Sequence, residues 1–469
     1  MYRPFHFSML VFIILLAAVI GYAQTIPTTL EEMYGKEGIK IFDDSDIDYP
    51  AGGNWTQGSS MPFPRYYGGS VMYSDGTNEW LYVFGGDTTG SGDPTKTCLR
   101  YSVNTDTWEY IAPLPEPLRV NAATKLGDKL YTMGGFNAPF PAPAVTSFYE
   151  YDIATNTWTE LPDLPTPLFF TGAVGFEDSL IYIIGGIEDV QATRGDLWSL
   201  KVRLFRRAQG TFTDVDNLPE ATANFGQAVI GNNFYLTGGL KSNSELWNLT
   251  IKGEVDPTDK SRINWTKGTN YPLSVHAHKG YKISDDEVYF FGGSTTTGFS
   301  PIRLSYSYNP NSNSYSQEPD IPYNAMAFYG GINFREGNSA TQFVTVIIAG
   351  GITNGPSLTG QTWIFKDTLL VQGINEIGNT IPNDYSLLQN FPNPFNPSTT
   401  IRFSIPREDF VTLKIFNSLG QSVTTLVSDK LTAGLYEYNW NAGNLSSGIY
   451  FYTLTAGKFS QTKKLILMK

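Results

Sequence analysis

Six times along the chain a short, continuously apolar run ends in a pair of glycines. The copies are Leu81-Tyr82-Val83-Phe84-Gly85-Gly86, Leu130-Tyr131-Thr132-Met133-Gly134-Gly135, Ile181-Tyr182-Ile183-Ile184-Gly185-Gly186, Phe234-Tyr235-Leu236-Thr237-Gly238-Gly239, Val288-Tyr289-Phe290-Phe291-Gly292-Gly293 and Val346-Ile347-Ile348-Ala349-Gly350-Gly351. A strand that alternates apolar and polar residues has one wet face, whereas an unbroken apolar run predicts a strand buried on both faces. The glycines that follow permit backbone angles a Cβ would forbid, so the chain can turn out of a crowded centre.

Each pair is followed by an aromatic expected on a third strand (Tyr101, Tyr151, Trp198, Trp247, Tyr308 and Trp363). A second aromatic is expected on a fourth strand (Trp108, Trp158, Phe212, Trp265 and Tyr315). The sixth fourth-strand aromatic is missing from the end of the array. Trp55 precedes the first apolar strand with no glycine pair before it, so it is expected to supply the outer strand of the last unit. That shared unit closes a ring and removes the open sheet edges. The fold class read from this pattern is all-β: a six-bladed β-propeller over residues 51–370, a linker over 371–382 and a second small β domain over 383–469.

The glycine pairs, the Tyr151-Asp152 that follows one of them and the spaced tryptophans resemble the kelch repeat. First glycines stand 49 to 58 residues apart, close to the period of about 50 for that repeat. The resemblance spans about Trp55 to Asp367. Leu246-Trp247 and Ile364-Phe365 depart from Tyr-Asp in the fourth and sixth copies. The resemblance implies a propeller and leaves activity open, since such propellers serve adhesion, scaffolding and some enzymes.

Beyond the linker, Gln389-Asn390-Phe391-Pro392-Asn393-Pro394-Phe395-Asn396-Pro397 carries three prolines, which exclude a helix or a central strand. Alternating segments at 401–405, 411–416, 422–427, 435–440, 449–454 and 462–468 predict a small immunoglobulin-like β-sandwich. The proline-rich arm, Ser446-Ser447-Gly448-Ile449-Tyr450 and Lys463-Lys464-Leu465 resemble the type A C-terminal sorting domain of the type IX secretion system. That resemblance implies recognition of residues 383–469 by the type IX translocon in a Bacteroidetes-like bacterium, with release outside the cell or display on the outer-membrane surface.

At the other end Arg3 precedes an apolar run, Met9 to Ile20, that closes on Gly21-Tyr22-Ala23. This reads as a signal peptide over residues 1–23 cleaved before Gln24; an anchor would need ~20 apolar residues. No transmembrane segment is expected in the mature chain. Residues 24–50 form an acidic lead-in with Asp43, Asp44, Asp46 and Asp48, lacking the glycine and distal glutamate of an EF-hand.

The net charge of −12 disfavours a nucleic-acid partner. His276 and His278 are the only histidines beyond the leader and Cys98 is the only cysteine, which leaves little for metal or thiol chemistry. No metal and no cofactor are expected. The two histidines are placed on an inner strand, where i, i+2 spacing points both to one face.

Ligands of propellers sit at a mouth of the central channel, built by loops of several blades. By resemblance to kelch proteins, the candidate residues are Tyr66, Tyr67, Asp87, Arg119, Asn121, Phe169, Phe170, Glu188, Asn224, Phe225, His276 and Asn324. Aromatics with amides and an arginine suit a sugar face or a peptide loop. Glu188 and Arg194 have a spacing similar to that in secreted kelch sialic-acid mutarotases, which implies a carboxylate that moves the anomeric proton and a guanidinium that holds the sugar acid. Two readings follow: a non-catalytic module that binds glycan or protein, and a sugar-modifying enzyme.

Overall fold

The computed structural model describes residues 40–41 and 55–468, apart from 140–141, 190–195, 242–244, 285–286, 337–340, 354–356, 371–373, 377–381 and 443–444. The acidic cluster Asp43–Asp48, the leader and Arg194 lie outside the described residues. The chain divides near residue 366 into two compact units.

The first unit contains six four-stranded antiparallel sheets. Their innermost strands are Gly69–Ser74, Ala122–Leu126, Gly172–Phe176, Gly226–Ile230, Lys279–Ser284 and Tyr329–Glu336. The glycine-paired runs form the second strands, and Leu81 to Phe84 and Ile181 to Ile184 are buried at every position, as two-sided packing demands. The outer strand of the sixth sheet is Trp55–Gly58, antiparallel to Thr362–Leu370 with Trp55 opposite Phe365. The two ends of the unit therefore share one sheet.

Hydrogen bonds tie neighbouring sheets at their outer edge. Tyr101, Tyr151 and Tyr308 donate to Asp106, Asn156 and Asn313 in their own hairpins. The same three acceptors receive the backbone N–H of Ser59, Ala112 and Thr269 in the preceding sheet. Trp108 and Trp158 donate their indole N–H to Ser59 and Ala112 carbonyls at 2.9 Å. An aromatic core residue thus doubles as a latch, because its polar edge finds a partner while its ring stays dry.

Two placements differ from the expectation. The third strand of the third sheet is Val202–Arg206, with Phe205 opposite Phe212; Trp198 lies earlier, on Asp196–Trp198. In the fourth sheet the third strand is Thr250–Val255 and Gly253 faces Trp265, so Trp247 precedes the strand and donates instead to the Ala221 carbonyl. An aromatic pair seven residues apart marks a regular outer hairpin (Tyr101 and Trp108, Phe205 and Phe212). Trp198 and Trp247 do not keep that spacing. Within the segment read as a linker, Ile374–Glu376 is a strand paired with Gly434–Asn441.

The second unit has two four-stranded antiparallel sheets around one core that includes Ile401, Phe403, Leu413, Tyr438, Trp440, Tyr452, Leu454 and Leu467. The proline-rich arm lies along the last strand. Phe395 is buried and bridges Leu467, Asn390 bonds Thr399 and the Tyr452 hydroxyl, and Asn393 accepts from the Ile466 N–H at 2.9 Å. Phe391 is 80% exposed.

The glycine pairs provide a test of the fold. Gly135 has φ of 88°, and a Cβ there would lie 2.2 Å from the Arg119 carbonyl oxygen. Gly76 has φ of 89° in open space. Gly76→Ala is expected to cost about 1 kcal/mol and Gly135→Ala about 3 kcal/mol or more, read from urea unfolding midpoints. Equal losses would show that the contact with the neighbouring backbone contributes nothing.

Candidate functional site

Just before each inner strand stands a residue in the left-handed region: Tyr67 (φ 52°), Val120 (57°), Phe170 (52°), Asn224 (54°), Ala277 (55°) and Ala327 (51°). None is glycine, and Val120 is β-branched, for which this conformation is costly. The conformation turns each peptide toward the next sheet. Val120 N–H donates to Tyr67, Asn224 to Phe170, Ala277 to Asn224, Ala327 to Ala277 and Tyr67 to Ala327, at 2.5 to 3.1 Å. The last of these joins residues at opposite ends of the unit; five of the six positions donate in this way, and Phe170 makes no such bond to Val120 among the described residues.

All six residues line one end of a central cavity of about 580 Å³. At this end side chains cross the axis. The Tyr67 ring meets Phe170 of the third sheet at a centroid distance of 5.4 Å and its hydroxyl receives a hydrogen bond from Asn224 of the fourth. Burial outweighs that bond and the Arg119 charge, and pushes the phenol above its usual range. Tyr67, Val120 and Phe170 are buried, whereas Lys125, Gly127, Glu177 and Asp178 at the opposite end of the lining are exposed. The channel is therefore blind at the ring, and its exposed lining lies at the hairpins of the second and third inner strands.

Polar side chains stitch its wall from sheet to sheet. Ser70 and Tyr281 donate to the Gly330 carbonyl at 3.0 and 2.6 Å. Thr124 accepts from the Gly175 N–H at 2.8 Å, and Gln227 Nε2 donates to the Ala173 carbonyl at 2.7 Å. Asn121 Nδ2 donates to Thr132 Oγ1 at 2.7 Å and to Phe84 at 3.3 Å. Asn121 Oδ1 and Gln227 Oε1 are buried with no hydrogen-bond partner among the described residues.

Of the residues singled out by sequence, the cavity lining brings together Tyr67, Asn121, Phe170, Asn224 and Phe225. The others lie outside that lining. Tyr66 and Phe169 belong to a packed apolar layer with Phe136, Ile187 and Met326, not to an open rim. Arg119 is fully buried with its guanidinium 5.1 Å from the Phe136 ring. Asp87 accepts the N–H groups of Thr89, Gly90 and Gly92 and the Tyr66 hydroxyl, which folds its own loop. Asn324 is half-buried beside that layer.

Glu188 is engaged in a buried ion pair. Arg203 donates to it at 2.6 Å and Ser199 at 2.9 Å, inside the protein. Burial works to raise its pKa, but these two hydrogen bonds and the Arg203 charge hold it below the usual carboxylate range. The wall residues that sequence reading passed over are Lys125, Gln227, Lys279 and Lys282. They sit on inner strands, but Lys279 and Lys282 stand three positions apart on theirs, so no simple alternation marked them.

The histidines precede the inner strand Lys279–Ser284 instead of sharing its face, because Ala277 between them is left-handed. His276 Nε2 donates to the Thr296 carbonyl at 2.9 Å, which makes Nδ1 the acceptor for Asn224 at 3.1 Å. His278 Nε2 bonds Thr237 at 2.8 Å and its ring stacks on Tyr271. Burial lowers His276 to about 4 and His278 to about 3. Cys98 is buried, and burial pushes its thiol up to about 12. Among the described residues no group of three His, Cys, Asp or Glu side chains is placed to hold a metal ion, and no helix is long and apolar enough to cross a membrane.

Residues 54–239 match the family model of the KLHDC2/KLHL20/DRC7 Kelch-repeats domain, and residues 389–468 match that of the secretion system C-terminal sorting domain. Among solved structures, the chain is similar to one described as "Structure of YjhT", with a TM-score of 0.54 and 12% identity over 66% of this chain and 99% of that chain. Identity that low speaks to fold alone. A comparison with curated proteins gives no match.

The two histidines set an acid limit. Their folded pKa values lie below the usual 6.5, so below that pH the unfolded chain takes up protons first and stability falls as pH drops toward 4. His276→Gln removes one such group. Between pH 7.5 and 4.5 the variant is expected to lose about 2 kcal/mol less than the unaltered protein, measured by denaturant unfolding. Identical losses would contradict the buried neutral imidazole.

Proposed function

Starting from a chain that carries kelch repeats and a type IX C-terminal sorting domain, we propose a secreted or surface-displayed six-bladed propeller that acts as a non-catalytic binding module for glycan or protein. Residues 1–23 serve as its signal peptide, and the C-terminal unit, an immunoglobulin-like sandwich, engages the type IX translocon. The observation that carries the binding reading is the blind channel, walled by amides and hydroxyls and closed by aromatic rings. A cavity of a few hundred Å³ with a few placed polar groups is the usual form of a small-ligand site. The carboxylate that an acid–base mechanism would use, Glu188, stands outside that lining and is held by Arg203.

The full-length protein is expected to retain at least one glycan on an array or one protein in a pull-down from the growth medium of its host. Blank results in both, together with turnover of a sugar substrate, would replace the module with an enzyme. Export is tested apart from binding. Deleting residues 383–469 in the native host is expected to leave the protein cell-associated, and its continued appearance outside the cell would remove the sorting role.

A further inference from the structure

The channel wall is chemically uneven, although the sheets repeat. Two residues beyond each left-handed ring position stand Gly69, Ala122, Gly172, Gly226, Lys279 and Tyr329. Only the fifth sheet brings a cation there. Lys279 lines the cavity and is half-buried, and its ammonium has no ion-pair or hydrogen-bond partner among the described residues. Lys125 and Lys282 line the same cavity. Of the carboxylates in the lining, Glu177 pairs with Lys260 at 2.8 Å, and Asp178 accepts from Gly127 at 3.2 Å and faces Lys125. In a protein of net charge −12 this leaves Lys279 as a cation facing the cavity without a carboxylate beside it among the described residues, and low-dielectric walls focus such a field.

The orphan acceptors are fixed by chemistry. The Thr132 hydroxyl donates to the Ala122 carbonyl at 2.9 Å, so it can only accept from Asn121, and the amide nitrogen must point there. The Ala173 carbonyl likewise can only accept, which fixes Gln227. Both oxygens are fully buried, and Gln227 Oε1 packs against Gly172, so these amides hold the wall together and the half-buried Lys279 ammonium is the group left for a ligand.

We propose, building on the binding reading above, that the channel is the site for a small anion, a carboxylate or a phosphate ester, and that Lys279 meets its charge. The ligand enters through the hairpin end, since Tyr67 and Phe170 block the other. Burial alone lowers Lys279 to about 8, and an anion beside it reverses that penalty.

The test titrates full-length protein calorimetrically with glucuronate, glucose 6-phosphate and glucose. At least one anion is expected to bind about tenfold or more tighter than glucose, and whichever binds identifies the charged group. Lys279→Met is expected to weaken that binding by about tenfold or more without lowering the unfolding midpoint. In the unaltered protein, acetylation of Lys279 by acetic anhydride, followed by mass spectrometry, is expected to slow severalfold when the anion is present. That readout stands even where a variant does not fold. Absence of binding by both anions, equal binding of glucose, or unchanged affinity and labelling at Lys279 would overturn the proposal. If the array or pull-down still retains a partner in that case, the binding module stands and only its channel site falls; blank results throughout remove both.

Discussion

The repeat unit depends on peptide hydrogen bonds that pass from sheet to sheet around the axis. A sheet array wrapped around an axis leaves the first peptide of every inner strand facing its neighbours with no ladder partner. Buried backbone groups left unpaired are expensive. The left-handed turn at Tyr67, Val120, Asn224, Ala277 and Ala327 aims each N–H at the carbonyl of the preceding position. Strain at single residues is thereby exchanged for bonds between neighbouring sheets. The second-strand glycines belong to the same arrangement, because the Gly86, Gly135 and Gly239 backbones pass against the carbonyls of Tyr66, Arg119 and Ala223 beside that ring.

Most of the architecture was legible because it repeats. Doubly buried strands and glycine pairs have a physical cause that recurs in each copy, and Trp55 had nowhere to pair except with the last repeat. The errors fell where the repeat relaxes. Trp198 and Trp247 are large aromatics at nearly the right distance, yet they cover loops in front of the strand, and the true partners are Phe205 and a glycine beneath Trp265. Ile374–Glu376 looked like linker because a three-residue edge strand is too short to show alternation.

The site was less legible than the fold, for a different reason. Sequence position told which residues flank the ring, but not which of them face the axis. Tyr66 and Tyr67 are adjacent and share one apolar layer, yet the first has its hydroxyl on Asp87 while only the second also lines the channel. Glu188 seemed a reactive carboxylate because its partner, Arg203, lies 15 residues later on another strand. Side-chain pairing across strands is a property of the closed sheet, and no local spacing encodes it.

The shared sixth sheet also sets a timetable. The Thr56 hydroxyl bonds the Ile364 carbonyl 308 positions away, so no shorter piece of the chain can complete the ring. At roughly 5–20 residues per second of synthesis, the first strand waits on the order of 15–60 s for its partner. Throughout that interval an unpaired edge is presented to any other chain, and each earlier sheet must persist without the final bond between Tyr67 and Ala327. The clasp that completes the sixth sheet of the finished molecule makes the growing one dependent on being kept apart from its own copies until the last repeat arrives.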